Sequence, residues 1–408
     1  MRQSKTVLYI HHSTALGGAP RSLAYLIKEL DRDRWRPVVL TPGDGEVAQM
    51  FRDAGADVFF DRRIQSFPGG TSPVNSPLRL LRAWLRGQQT SEAATEYVRR
   101  LSPDVVHLNS TSLFMAARGA REAAPHVRII CHARETLAGG LGTKIIRYMN
   151  HRFCDAFIAL DTDGLSRLNI QGKEARVVPN FVDTSTLASY ERKQILKIEH
   201  NLSNDDVVVV FLARICPING VMEAVRMIRS LPDEFSHCHF FFFGYTEDTA
   251  SATNTSSIKD RFKITLKGFW RKVIPSYLTR VRSLAQLSSN IHILPFNNQI
   301  LPILGSSDIL LCPFTKPHFS RSIVEAAAMG IPSLTADVPS LRTLVDHGRT
   351  GWLYFINSRE SFEAGLRFLA LDPIIRVNMG NEAKKKAEIH FNNNKNALLT
   401  FEIYKPGR

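Results

Sequence analysis

Short apolar runs bounded by turn residues alternate along this chain with segments of helical periodicity, and they do so in two successive series. The first series has strand-like runs at 7–12, 36–40, 58–60, 105–108, 128–131, 156–160 and 176–178, with helical patterns at 20–30 and 47–54. The second has runs at 207–213, 239–243, 292–295, 309–313, 332–335 and 351–355. Several of these, 207–213 and 240–243 above all, are apolar at every residue rather than at alternate ones. That pattern suits strands buried on both faces, as in a parallel sheet covered by helices. Two series of similar size predict an α/β chain with two doubly wound, Rossmann-like domains.

The polar, charged stretch 185–204 carries no strand pattern and reads as a linker with a short helix. It separates a first domain, 1–184, from a second, 205–372. Residues 373–408 read as a tail helix, with Met379, Ala383, Ala387 and Phe391 at three-to-four spacing.

With 408 residues the chain is long enough for about two to three domains. Its 44% hydrophobic and 22% charged residues are globular values, which excludes disordered and fibrous classes. No apolar run approaches the roughly 18 residues that cross a bilayer. The apolar residues 7–10 run straight into His11 and His12, so they read as a first strand and not as a signal peptide. The five cysteines are scattered, with no paired spacing. This argues for a reducing compartment, hence a cytoplasmic protein, without a disulfide framework or a cysteine zinc site. The formal net charge of +14 favours an anionic partner: nucleic acid, an acidic membrane surface or a phosphorylated substrate.

Two basic amphipathic stretches carry part of that charge. In 77–86, Arg79, Arg82 and Arg86 alternate with Leu81, Trp84 and Leu85. In 259–282, eight Lys/Arg stand against Asp260 alone and are interleaved with Phe262, Phe269, Trp270 and Tyr277. Each reads either as a peripheral contact with an anionic membrane or as a solvated helix face over the core.

Four motifs carry candidate chemistry. Gly17, Gly18, Ala19 and Pro20 follow the first strand and open a helix whose N-terminus suits a phosphate or carboxylate. Taken alone they read equally as a structural turn. His132, Arg134 and Glu135 follow directly on a buried strand. His132 can hydrogen-bond a sugar hydroxyl there, or it can be a capping histidine with Arg134 and Glu135 as a local ion pair; its position favours the first. Arg214 closes the first strand of the second series, where a guanidinium can hold a pyrophosphate. Finally, Phe319, Ser320, Arg321 and Ser322 lead into a short helix that carries Glu325 and ends at Gly330. Ser320 or Ser322 can cap it, and its first N–H groups suit a diphosphate. The helix is apolar around Glu325, so that carboxylate requires a partner.

These residues, in this order, make nearly the whole chain resemble retaining glycosyltransferases of family 4. The other matching positions are 178–183, Pro217 and Gly220, 307–309, Val324 to Pro332, Asp337, and 345–351. The resemblance implies a GT-B fold, two Rossmann-like domains facing a central cleft, with the tail helix crossing back to the first. It implies transfer of a sugar from a nucleotide diphosphosugar, UDP- or GDP-linked, with no metal and no separate cofactor. On that pattern Glu325 binds the ribose, Arg214 and the amides of Phe319 to Ser322 hold the diphosphate, and His132 contacts the donor sugar. Gly17 and Gly18 lie beside the phosphate and the acceptor. The acceptor would be a glycan or a lipid-linked sugar of a surface polysaccharide, reached at the inner face of the cytoplasmic membrane.

Two positions depart from that pattern. Pro317 stands where the family usually has a glutamate addressing the donor sugar. Asn219 stands where a lysine usually accompanies the arginine, and Lys316 and Arg321 are the cations that could replace it. These departures motivate a rival reading, a non-catalytic nucleotide-sugar-binding or scaffold protein on the same fold. A sugar-nucleotide epimerase on this fold ranks below transfer. A nucleic-acid partner rests on charge alone and is set aside, since no recognition motif accompanies it.

Overall fold

The computed structural model describes residues 4–245, 276–296, 299–317 and 319–405. The chain forms two compact units, Met1–Thr184 with Glu388–Arg408, and Ser185–Ala387.

The first unit is built on β1 (Lys5–Ile10), β2 (Trp35–Thr41), β3 (Asp57–Phe60), β4 (Val105–Leu108), β5 (Arg128–Ala133), β6 (Ala156–Ala159) and β7 (Glu174–Val177). They form one parallel sheet in the order β3-β2-β1-β4-β5-β6-β7. Alternate residues feed two separate cores. Leu8, Ile10, Val106 and Cys131 enter one, and Val7, Tyr9, Val105 and Ile130 the other. Two buried faces are what the unbroken apolar runs require. Pro37 is tolerated in β2 because it pairs only with β1; the ladder to β3 begins at Val38.

The second unit repeats the plan with β8 (Val207–Leu212), β9 (Cys238–Tyr245), β10 (Ile291–Pro295), β11 (Ile309–Cys312), β12 (Ser333–Ala336) and β13 (Gly351–Tyr354). Its parallel sheet runs β10-β9-β8-β11-β12-β13. In both sheets the strand order reverses beside the first strand, between β1 and β4 and between β8 and β11. The same staple closes the amino end of each reversal. Asp104 donates its N–H to Thr6 O and accepts Thr6 N–H on Oδ2 at 2.8 Å. Asp308 does the same with Val208, at 2.9 Å. Asp308 in the 307–309 motif therefore has a structural task.

Three segments carry detail beyond the sequence pattern. Residues 185–204 hold two short helices, Thr184–Ala188 and Ile195–Glu199, rather than one, and Leu196 joins the core of the second unit. The tail is two helices, Pro373–His390 and Asn393–Glu402. The break falls at Phe391 and Asn392, where Asn392 Oδ1 accepts the N–H of Lys395 and caps the second helix. After the break the chain lies on the first unit: Ala397, Ile403 and Tyr404 fill the core shared with Tyr9 and Ile130. The basic stretch 77–86 proves to be the start of a 25-residue helix, Pro77–Leu101. Of 259–282, only the last residues are described, within and just before the helix Tyr277–Ala285. The part from 259 to 275 lies outside the described residues.

Candidate active site

In an open α/β sheet, ligands bind beyond the carboxyl ends of the strands at the point where strand order reverses. Each unit places candidate residues there, except that His132 lies within β5, one strand away from the reversal.

In the second unit, Arg214 stands two residues beyond β8, with its side chain exposed. Its loop is tied to the segment after β11. Asn219 Nδ2 donates to Arg214 O at 2.7 Å, and Thr315 N donates to Ile218 O at 3.0 Å. Gly220 is required in this seam: it has φ +67°, and a Cβ on it would lie 1.8 Å from Pro313 O. Asn219 thus closes the loop that carries Arg214, where a lysine would point a charge.

The helix Arg321–Ala328 follows β11 after a loop, and every one of its residues is buried. Phe319 and Ser320 before it are buried too. Ser320 occupies the N-cap position, but its side chain does not cap the helix, contrary to expectation. Its Oγ lies instead 2.9 Å from Ser322 Oγ and 3.7 Å from Cys312 Sγ. The partner required by the Glu325 carboxylate is Arg321, one turn earlier, whose Nε donates to Oε1 at 2.8 Å. Of the two cations that could replace the missing lysine, Arg321 is therefore engaged with Glu325, and Lys316 is exposed on the loop. A carboxylate offers about four acceptor sites, so one bond from Arg321 leaves capacity for a diol.

In the first unit, Gly17 and Gly18 are exposed, and a Cβ on either would meet nothing within 4 Å. Gly17 has φ 175°, extended backbone open to any residue. Neither glycine is demanded by packing, which leaves room for a ligand against the start of the helix Gly18–Lys28.

Directly beneath this turn lies a polar cluster. Asn109, just past β4, donates through Nδ2 to Ala19 O at 3.2 Å and lies 3.1 Å from His11 Nδ1. Its Oδ1 accepts from Arg134 Nε at 2.8 Å, and Arg134 Nη1 donates to Asn180 Oδ1 at 2.6 Å. Glu135 accepts from Ser110 Oγ at 2.7 Å and from Thr111 N at 3.0 Å. Arg134 and Glu135 thus take separate sets of partners. His132 is still within β5, on the face that carries Ile130, and is 2% exposed. Its Nδ1 lies 3.2 Å from His107 Nε2, while its Nε2 is buried and has no partner among the described residues. Burial, reinforced by Arg134, holds both His107 and His132 well below the ordinary histidine range. Burial, with His12 and Arg134, pushes His11 down to about 3. All three rings are neutral at physiological pH, and Arg134 is the cation among them.

The sequence reading overlooked His11, His107, Asn109 and Tyr404. His107 and Asn109 had a usable signal, since polar residues break an apolar strand at 105–110 as they do at 132–135. Among the described residues, no group of three or more His, Cys, Asp or Glu side chains is disposed to hold a metal ion.

Residues 192–386 match the family Glycosyl transferases group 1, and residues 16–186 match Glycosyltransferase Family 4. N-acetyl-alpha-D-glucosaminyl L-malate synthase of Bacillus anthracis is 21% identical over 55% of this chain and 51% of that protein. D-inositol 3-phosphate glycosyltransferase of Streptomyces avermitilis is 32% identical over 26% of this chain and 23% of that protein. The chain thus spans about half the length of the first of these relatives and about a quarter of the second. Among solved structures, Anabaena Alr3699/HepE in complex with UDP and glucose superposes with a TM-score of 0.75 at 18% identity, covering 98% of each chain. A glycosyltransferase from Rickettsia africae superposes at 0.73 with 15% identity, again over 98% of each. The family matches favour a transferase over a non-catalytic scaffold. With two parallel-sheet units, GT-B glycosyltransferases as its structural neighbours, and family matches over both halves, this chain belongs to the group 1 / family 4 glycosyltransferases.

Proposed function

We propose that the protein transfers a sugar, with retention, from a nucleotide diphosphosugar to a glycan or lipid-linked acceptor. The observation that carries this is the buried Glu325 on a short helix at the reversal of the second sheet, held by Arg321. Glu325 binds the ribose hydroxyls. The exposed Arg214 and the amides of Phe319 to Ser322 hold the diphosphate, and His132 contacts the donor sugar. Gly17 and Gly18 give the phosphate and acceptor a close approach to backbone. In the transfer the anomeric carbon exchanges its bond to the diphosphate oxygen for one to the acceptor oxygen. The diphosphate leaves with the electron pair, and the acceptor hydroxyl loses its proton. A guanidinium aimed at the departing diphosphate stabilises charge that develops in the transition state. The presence of UDP and UDP-glucose in the HepE structures supports UDP as the nucleotide.

The test is thermal stabilisation by UDP, GDP, ADP and CMP and their sugars, followed by transfer assays with the stabilising donor. A shift with UDP that Glu325→Ala abolishes supports the reading. No shift with any nucleotide would overturn it.

A second reading concerns location, and a specific observation favours it. On the helix Pro77–Leu101, Leu78, Leu81 and Leu85 are 57%, 55% and 61% exposed. Arg79, Arg82 and Arg86 are exposed one position further along, while Leu80, Ala83 and Gly87 face the core. Among the described residues no helix is long and apolar enough to cross a membrane. The adjacent rows of leucine and arginine suit peripheral attachment to an anionic bilayer, where apolar side chains insert and cations meet headgroups. Vesicles with a third anionic lipid should retain the protein at low salt and release it at high salt. The Arg79→Gln, Arg82→Gln, Arg86→Gln triple variant should lose that retention; unchanged partitioning would remove this helix from the reading.

A further inference from the structure

A chain of four buried groups crosses the core of the first unit. Tyr404 Oη donates to Tyr9 Oη at 3.1 Å and lies 2.8 Å from His107 Nδ1. His107 Nε2 lies 3.2 Å from His132 Nδ1. Tyr9 and His107 are wholly buried; His132 and Tyr404 are 2% and 3% exposed. Beyond His132 the chain ends on a buried ring nitrogen, Nε2, for which the described residues supply no partner. A buried polar atom left without a partner destabilises the fold that holds it, so such an atom in a native fold calls for an explanation.

The protons along this chain can be counted. Tyr404 has one hydroxyl proton, and it goes to Tyr9. Its oxygen can then only accept from His107, so His107 carries its proton on Nδ1. A neutral imidazole has one N–H, which leaves His107 Nε2 as an acceptor. His132 must then donate from Nδ1, and its Nε2 is a bare lone pair. Both rings are neutral, for the reasons given above, so neither holds a second proton that would break this logic. Tyr404 comes from the last residues of the chain and is steadied there by Arg128, whose Nε donates to Ile403 O at 2.6 Å.

We propose that Tyr404 is a positioning residue which, acting through His107, sets the tautomer of His132 so that its Nε2 accepts a hydrogen bond from a hydroxyl of the donor sugar. The inference rests on the reading of His132 as the donor-sugar contact, and it adds where the proton on that ring comes from. The outer nitrogen of His132 is an acceptor, and it is kept so by a side chain from the opposite end of the sequence. The relay selects a sugar that presents a hydroxyl, with its hydrogen available, at this point.

The experiment is nitrogen-detected NMR of histidine rings in the wild-type protein, Tyr404→Phe and Tyr9→Phe, with assignment by His132→Gln. It is joined to binding of UDP and of UDP-sugar by titration. Wild-type His132 is expected as the Nδ1–H tautomer. Tyr404→Phe removes the acceptor for His107 Nδ1–H, and Tyr9→Phe frees the Tyr404 proton to turn toward His107. Either should move His132 toward the Nε2–H form. Tyr404→Phe should then weaken the UDP-sugar by roughly tenfold, as loss of one buried hydrogen bond does, with affinity for UDP itself unchanged. A wild-type Nε2–H tautomer, or a tautomer indifferent to both substitutions, overturns the relay. A tautomer that moves while UDP-sugar and UDP affinities both stay constant overturns the sugar contact instead. Since the tautomer is read without any ligand, neither result depends on whether transfer itself is observed. Should Tyr404→Phe not fold, Tyr9→Phe carries the same test from the other side of the hydroxyl pair.

Discussion

Arg321 and Glu325 form an ion pair within one turn of a helix that is buried throughout, Nε to Oε1 at 2.8 Å, with side-chain exposures of 8% and 10%. Surface pairs at this spacing contribute a few tenths of a kcal/mol. A buried pair behaves differently, because deleting one member strands the other charge away from water. Arg321→Ala, which strands the buried Glu325 carboxylate, is expected to lower stability by about 3–5 kcal/mol, and Glu325→Ala by less, because Arg321 has a further interaction. The Arg321→Met, Glu325→Leu double variant should recover most of that loss. Urea unfolding of the four proteins gives the size of each change. If the double variant regains stability yet binds no nucleotide, the pair is retained for ligand rather than for the fold.

Gly17 and Gly220 are both glycines after a first strand, and they should respond oppositely to a methyl group. Gly220→Ala drives Cβ into Pro313 O at a positive φ, so a loss of several kcal/mol is expected. Gly17→Ala meets no atom and keeps its backbone, so stability should stay within about 0.5 kcal/mol while nucleotide-sugar binding falls. Arg214→Ala, at an exposed side chain, should follow the Gly17 pattern. Thermal melts with and without UDP-sugar separate the two classes.

The neutral histidines give a pH dependence of definite sign. An unfolded histidine takes up a proton near 6.5, whereas folded His11 does so only near 3 and His107 and His132 well below 6.5. Below about pH 6.5 the unfolded chain therefore binds more protons than the folded one, and stability falls as pH falls. Above that value these residues contribute no slope. Each should remove roughly 1 kcal/mol per pH unit through the upper part of this window. Urea midpoints should be flat from about pH 8 to 7 and drop steadily from about 6 to 5. His11→Asn should flatten part of that drop.

The paired aspartate staples predict matched effects in the two units. Asp104→Ala and Asp308→Ala each remove a carboxylate that accepts the N–H of the neighbouring central strand. A loss of about 1.5–3 kcal/mol is expected at each site, the range for a hydrogen bond to a charged group. Asp308→Ala should leave nucleotide affinity unchanged at temperatures where the protein is folded, which would establish the structural role of this motif residue.

The architecture was legible in the linear sequence because it rests on local signals. Strands apolar at every residue require cover on both faces, and the alternation with helical periods requires parallel crossovers, so two doubly wound sheets follow from pattern alone. The positions of Gly17, Gly18, Arg214 and Glu325 were legible for the same reason: each lies in the loop or helix that comes after a strand beside the reversal, and that end of the sheet faces the ligand. What those residues touch was decided by the tertiary structure. Nothing local relates Tyr404 to His107 or Tyr9, since they meet only when the tail folds onto the first sheet. The difference between Gly17 and Gly220 lies in which backbone passes nearby, Pro313 in one case and none in the other. The spacing of Arg321 and Glu325 is written in the sequence, but its meaning is not. Only burial turns an ordinary helix pair into one that the carboxylate needs, because the strength of a charge interaction depends on the solvent that the rest of the fold removes.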